Sequence, residues 1–179
     1  YLFIKDIEED KYILLLRFLR TIEDKHLEET GEEIKLFTVG STAEDVPNVD
    51  EMDELTTKLF IFDDFISDKK ANEGVITDLF TRGRKKNCSI VYLTQSYFML
   101  PKTIRLNCSY FSFFGVTNMR ELTELAKDHA SEIEFKEFKR IFGKAVSKPY
   151  GFLFIDRKTT EMPMKYRSGF TGLYTPNNI

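Results

Sequence analysis

The sequence predicts an α/β fold, a three-layer sandwich built on a mostly parallel central sheet. Three observations carry that prediction. Short, nearly all-apolar runs at 59–62 (LFIF), 89–93 (SIVYL), 109–116 (SYFSFFGV) and 151–155 (GFLFI, strand to Asp156) have the length and continuity of strands buried on both faces. Segments whose apolar residues recur at spacings of three and four separate these runs, as helices covering a sheet would. Polar residues follow three of them, Asp63 and Asp64, Thr94 and Gln95, and Asp156. In a parallel sheet the working residues gather just beyond the carboxyl ends of the strands.

In chain order, YLFIKDI (1–7) reads as a short strand. Residues 11–29 read as a helix, with Ile13, Leu14, Leu16, Phe18, Leu19 and Ile22 apolar and a polar tail running to Gly31. IKLFTVG (34–40) is a second strand, followed by an acidic, proline-containing loop at 41–54. After the strand at 59–62, residues 70–82 form a helix with Val75, Ile76, Leu79 and Phe80 on one side. It stops near Gly83, with basic residues where the helix dipole favours them. Residues 118–142 carry helical spacing with Asn118 as the cap.

With 179 residues, 42% hydrophobic and 31% charged, the chain is expected to form one globular domain, 1–179, with its tail at 161–179. A net charge of -3 gives no global basic signature, so any nucleic-acid contact must come from a local patch or an assembled ring. Cys88 and Cys108 have no metal-ligand spacing and read as reduced, buried residues. Within these residues no run approaches the roughly 18 apolar residues of a membrane-spanning helix, and none has the pattern of a secretory signal. No membrane partner is expected.

LFIFDDFISD (59–68) places two carboxylates directly after the most apolar strand. Charge near a core is costly unless paired, hydrated or metal-bound. Either the strand ends at Phe62 and both acids face water, or one acid serves a Mg²⁺ shell and the next an attacking water, as in a Walker B strand. Gln95, at the tip of the following strand, is placed to reach the same water or phosphate. FTRGRKKN (80–87) clusters Arg82, Arg84, Lys85 and Lys86 at a helix end. Such a cluster either engages phosphate on a nucleotide or on DNA, or is a solvated helix terminus.

Taken in order, FIFDDF, TRGRKKNCSIVYLTQSYFMLPKTIRLN, SYFSFFG and YGFLFIDRKT resemble the A32-like packaging ATPases of large nucleocytoplasmic DNA viruses, a branch of the FtsK/HerA superfamily. The resemblance covers about residues 58–160. It implies a RecA/FtsK-like P-loop NTPase core, with ATP and Mg²⁺ as cofactors. Asp63 is then the Walker B acid that holds Mg²⁺ through water, with Thr94 beside it in cofactor binding. Asp64 activates the attacking water, Gln95 is the polar sensor, and Arg82 or Arg84 acts on a neighbouring subunit's nucleotide, with Arg105 a third candidate. It also implies double-stranded DNA as substrate, a homo-oligomeric ring, capsid or portal partners, and a location in the host cytoplasm or the virion.

One departure is large. A phosphate loop requires GxxxxGK[ST], and none occurs. Gly143-Lys144 has Phe138 where the first glycine belongs and Ala145 after it, and VGST (39–42) has no lysine. The expectation is a fragment that begins after Walker A and by itself binds ATP weakly or not at all. The alternative is an ATPase-like assembly module without hydrolysis. FIDRKT (154–159) also contains a D-x-K pair, Asp156 and Lys158, of the kind found in metal nucleases, though no companion acid is identified.

Overall fold

Alternation along the strand Lys58–Asp63 sends Phe60 and Phe62 to one face of a sheet and Leu59, Ile61 and Asp63 to the other, and the first half of the molecule is arranged around it. The computed structural model describes residues 1–116 and 118–174. They fall into two compact units, Tyr1–Asn107 and Cys108–Ile179.

The first unit runs β1 (Leu2–Ile4), α1 (Asp10–Thr30), β2 (Val39–Gly40), β3 (Lys58–Asp63), α2 (Lys69–Glu73), α3 (Val75–Arg82), β4 (Cys88–Leu93) and α4 (Lys102–Asn107). Its four strands are all parallel, in the order β2-β1-β3-β4, which bears out the α/β fold with a parallel sheet. Phe3, Phe60, Phe62 and Phe65 are fully buried. Phe3 stacks on Phe62 with ring centroids 4.9 Å apart, and Tyr92 of β4 continues the stack at 5.9 Å from Phe62. On the opposite face Leu2, Ile4, Tyr12 and Leu16 form a cluster, with Phe37, Val39 and Ile61 packed against it.

Helix α1 forms where expected and stops at Gly31, whose φ of 73° is the left-handed conformation that glycine adopts without penalty. Of its expected apolar residues, Leu16 is buried, while Leu14 and Phe18 are 68% and 64% exposed. The sheet beneath is narrow, because β2 pairs with β1 over two residues, so a single stripe of the helix meets the core. The strand expected at 34–40 is correspondingly short. The Leu36 amide donates to the Glu23 carboxylate at 2.6 Å instead of to a strand. The helix expected at 70–82 breaks at Gly74 into α2 and α3.

The second unit runs β5 (Tyr110–Phe113), α5 (Met119–His129), α6 (Phe135–Ala145), β6 (Leu153–Asp156), α7 (Met162–Lys165), β7 (Tyr166–Ser168) and β8 (Gly172–Leu173). Its sheet, β5-β6-β7-β8, is antiparallel throughout. This corrects the expectation that 109–116 and 151–156 join the parallel sheet. Leu153 and Ile155 are fully buried while Tyr110 is 49% exposed, so these strands bury one face. Aromatic residues on the open face make them read as continuously apolar.

Asn118 caps α5 as expected, its Oδ1 accepting the Glu121 amide at 2.8 Å. The helical stretch expected at 118–142 is two helices. The buried positions explain the break: from His129 to Phe138 is about two and a half turns, so one continuous helix would face them in opposite directions. Fully buried Tyr166 ties this unit together, its hydroxyl donating to the His129 carbonyl at 2.9 Å and to the Glu132 carboxylate at 2.5 Å. The tail placed at 161–179 contributes α7, β7 and β8, and its residues 175–179 lie outside the described residues.

Phe62→Ala removes a fully buried ring from the centre of the aromatic stack and should cost about 3–5 kcal/mol. Leu14→Ala on exposed α1 surface should stay within about 0.5 kcal/mol of wild type. Urea unfolding followed by circular dichroism distinguishes the two.

Candidate functional site

Asp63 lies at the carboxyl edge of the parallel sheet, opposite Ile4 of β1 on one side and Leu93 of β4 on the other. Helix α1 starts a short loop after Ile4, so its first turn also reaches this edge. The alternation of β3 points Asp63 to the α1 face, next to the cluster that holds Tyr12. The Tyr12 hydroxyl donates to Asp63 Oδ2, and Lys11 Nζ approaches the same oxygen at 3.2 Å while pairing with Glu9 at 2.8 Å. Burial, reinforced by the neighbouring Asp63 carboxylate, pushes the Tyr12 phenol up to about 12. Hydrogen bonding to Glu9, and next to Asp63, raises Lys11.

Asp64 takes the left-handed conformation, φ 57° and ψ 32°, which Asp tolerates better than most residues. The reversal ends the strand and leaves Asp64 exposed, its amide donating to the Leu93 carbonyl at 3.3 Å. A buried side chain holds the turn that follows. Asn72 Nδ2 donates to the Phe65 and Asp68 carbonyls at 2.7 Å each, and its Oδ1 accepts the Tyr92 hydroxyl at 2.8 Å. Burial pushes the Tyr92 phenol up to about 12. Beyond β4, Thr94 Oγ1 accepts the Ser96 amide at 3.1 Å, closing a local turn on which Gln95 is exposed. The structure therefore brings Asp63, Asp64, Thr94 and Gln95 to one edge of adjacent strands.

It does not bring Arg82 or Arg84 there. Helix α3 returns to the start of β4, so both arginines lie at the opposite edge, about 20 Å away along six residues of strand. Arg82 pairs with Asp50 and, at 3.1 Å, with Asp78. The Arg82 guanidinium holds Asp50 below the usual carboxylate range. Lys86 pairs with Glu54 at 2.9 Å, while Arg84 is exposed. Arg105 of α4 sits over the Tyr97 ring at 4.8 Å.

A family profile described as Poxvirus A32 protein matches residues 9–146. The chain belongs to that family. Membership implies a viral DNA-packaging ATPase role in general. No curated protein and no solved structure matches the chain. The matched span contains Asp63, Asp64, Thr94, Gln95, Arg82 and Arg84; Asp156 lies beyond it.

Other positions weighed in the sequence of this A32 family member have local structural roles. The amides of Ser41 and Thr42 donate to Asp45 Oδ2 at 2.8 Å each, so the VGST turn closes on its own carboxylate. Gly143 lies within α6, which is helix and not a loop. Asp156 ends a strand of the antiparallel sheet and not of the parallel one, a correction to its placement beside Asp63. Its Oδ1 accepts the Lys158 amide at 2.8 Å, and Arg167 lies 3.5 Å from Oδ2. Cys88 and Cys108 are free and partly buried, and burial raises the Cys108 thiol to about 11.

Among the described residues no group of three or more His, Cys, Asp or Glu could hold a metal ion. A lone carboxylate at a strand end suits Mg²⁺, which usually takes one or two protein carboxylates and completes its shell with phosphate and water. Asp63 fits such a role, and a fully protein-bound metal does not. Tyr12, Lys11, Asn72 and Tyr92 escaped the sequence reading. Their only signal was a polar group beside an apolar stretch, which many surface residues share.

Tyr12 and Tyr92 ionise near 10 when unfolded and near 12 when folded. Their contribution to stability is complete below pH 10 and is lost as pH rises through about 12. Urea unfolding at a series of pH values from 8 to about 12 should show this loss, and it should shrink in the Tyr12→Phe, Tyr92→Phe double variant.

Proposed function

We propose that this chain supplies the hydrolytic edge of an ATP-driven motor that moves double-stranded viral DNA into capsids. The observation that carries this reading is the convergence of Asp63, Asp64, Thr94 and Gln95 on the carboxyl edge of two adjacent parallel strands. Asp63 would hold Mg²⁺ through its water shell, with Thr94 nearby. Mg²⁺, when bound with the triphosphate, supplies charge neutralisation at the transferring phosphoryl group. Asp64, exposed and set in a left-handed turn, would polarise a water, and exposed Gln95 would contact that water or a phosphate oxygen.

Arg82 and Arg84, lying at the far edge, would act on a neighbouring subunit's nucleotide in a homo-oligomeric ring. Of the two, Arg84 is the better placed, since Arg82 is already engaged by Asp50 and Asp78. The phosphate-holding loop would come from a segment outside residues 1–179. The motor would work with capsid or portal proteins during assembly in the host cytoplasm. Among the described residues no helix is long and apolar enough to cross a membrane.

In the complete protein, Asp64→Asn should retain Mg·ATP binding and lower turnover about 100-fold or more; turnover at the wild-type rate would remove Asp64 from this role. Arg84→Ala should lower turnover of the assembled state, and mixing it with a subunit defective in phosphate-loop binding should partly restore activity. If mixing restores nothing, the arginine does not act between subunits.

A further inference from the structure

Asp63 Oδ2 receives two donors of different character from successive residues of α1. Tyr12 is 6% exposed, and its ring belongs to the core cluster of Leu2, Ile4 and Leu16, so its hydroxyl is fixed in place. Lys11 has a side chain 57% exposed and a second carboxylate, Glu9, already 2.8 Å from its ammonium. One donor is anchored, and the other has somewhere else to go.

We propose that Tyr12 is a positioning residue for Asp63 and that Lys11 is a displaceable cation, shared between Asp63 and Glu9 until a divalent metal arrives and then withdrawn to Glu9 alone. This rests on the assignment of Asp63 as the metal-facing acid. A carboxylate at the end of an apolar strand, 19% exposed, needs a positive partner in every state of the site. Lys11 is the cation on Asp63 in this structure. The Lys11 end of the pair is exposed, so its release costs little once the metal has taken its place on Asp63, and Glu9 keeps the ammonium paired throughout. Stacking over the Tyr12 ring, with Lys11 Nζ 4.6 Å from its centroid, keeps the lysine close in either position. Tyr12 meanwhile fixes the rotation of the carboxylate, as hydrogen-bonded partners of metal ligands do elsewhere.

The two roles require substitutions of opposite sign. The probe is Mn²⁺, with its free concentration followed by electron paramagnetic resonance in the presence of ADP, on the complete protein. Lys11→Met should tighten Mn²⁺ binding about threefold by removing a competing cation. Tyr12→Phe, which keeps the ring in its core cluster, should weaken it about tenfold. Asp63→Asn should weaken it at least as much as Tyr12→Phe. General damage to the first turn of α1 would weaken binding in both helix variants, so unchanged or weaker binding in Lys11→Met overturns the exchange. Unchanged binding in Tyr12→Phe overturns the positioning role. If Asp63→Asn binds Mn²⁺ as wild type does, or wild type binds none, the assignment of Asp63 fails and the inference fails with it.

Discussion

A carboxylate at the end of a buried apolar strand must be compensated, and the carboxyl edge of the parallel sheet is organised by that requirement. Phe60 and Phe62 fill one face of β3, and the same alternation delivers Asp63 to the other, where the first turn of α1 meets it. Because β1 lies directly beside β3, the loop after Ile4 can return a helix to Asp63 within a few residues. Without the Tyr12 and Lys11 contacts the acid would face the Leu2, Ile4 and Leu16 cluster unpaired, at the cost attached to a partly buried charge. The left-handed turn at Asp64 follows from the same constraint, since it sends the second carboxylate out to solvent.

The two edges of this sheet are electrostatically distinct. At the carboxyl edge Asp63, Asp64 and Gln95 lie beside the bridge of Lys11 and Glu9. At the amino edge the acidic loop folds over the basic segment, with Asp50 on Arg82 and Glu54 on Lys86. Buried Lys58 anchors that loop by donating to the Asp53 and Thr56 carbonyls at 2.8 Å each. Arg82 and Arg84 thus lie away from Asp63 and Asp64, and Arg82 is held by acids of its own edge; the proposed action between subunits would use that separation. Both arginines of that segment are exposed, and Arg82 is the one engaged by Asp50 and Asp78.

Residues 58–63 and 88–93 were legible in the sequence because continuous apolar runs ending in polar residues have few meanings in an α/β chain. The place of Asp63, Asp64, Thr94 and Gln95 at the ends of those strands was legible for the same reason. The direction of β5 and β6 was not. Tyr110, Phe111, Phe113 and Phe154 fill both faces of those strands with aromatic residues, which hides the alternation that marks a one-sided sheet. The break between α5 and α6 could have been read from the phase of His129 and Phe138, but a charged run between them kept a helical appearance. Tyr12 and Asn72 were invisible because their importance comes from partners 51 and 20 residues away, Asp63 and Tyr92.

The central claim is that nucleotide and metal belong at the Asp63 edge. Nuclear magnetic resonance of the complete protein, with a non-hydrolysable ATP analogue and Mn²⁺ added, tests it most directly, because the paramagnetic ion broadens nearby amide signals. At concentrations too low for assembly, residues 63–65 and 94–96 should broaden first, before residues 82–86 at the other edge of the same sheet. Selective broadening at 82–86, with 63–65 unaffected, would contradict the account.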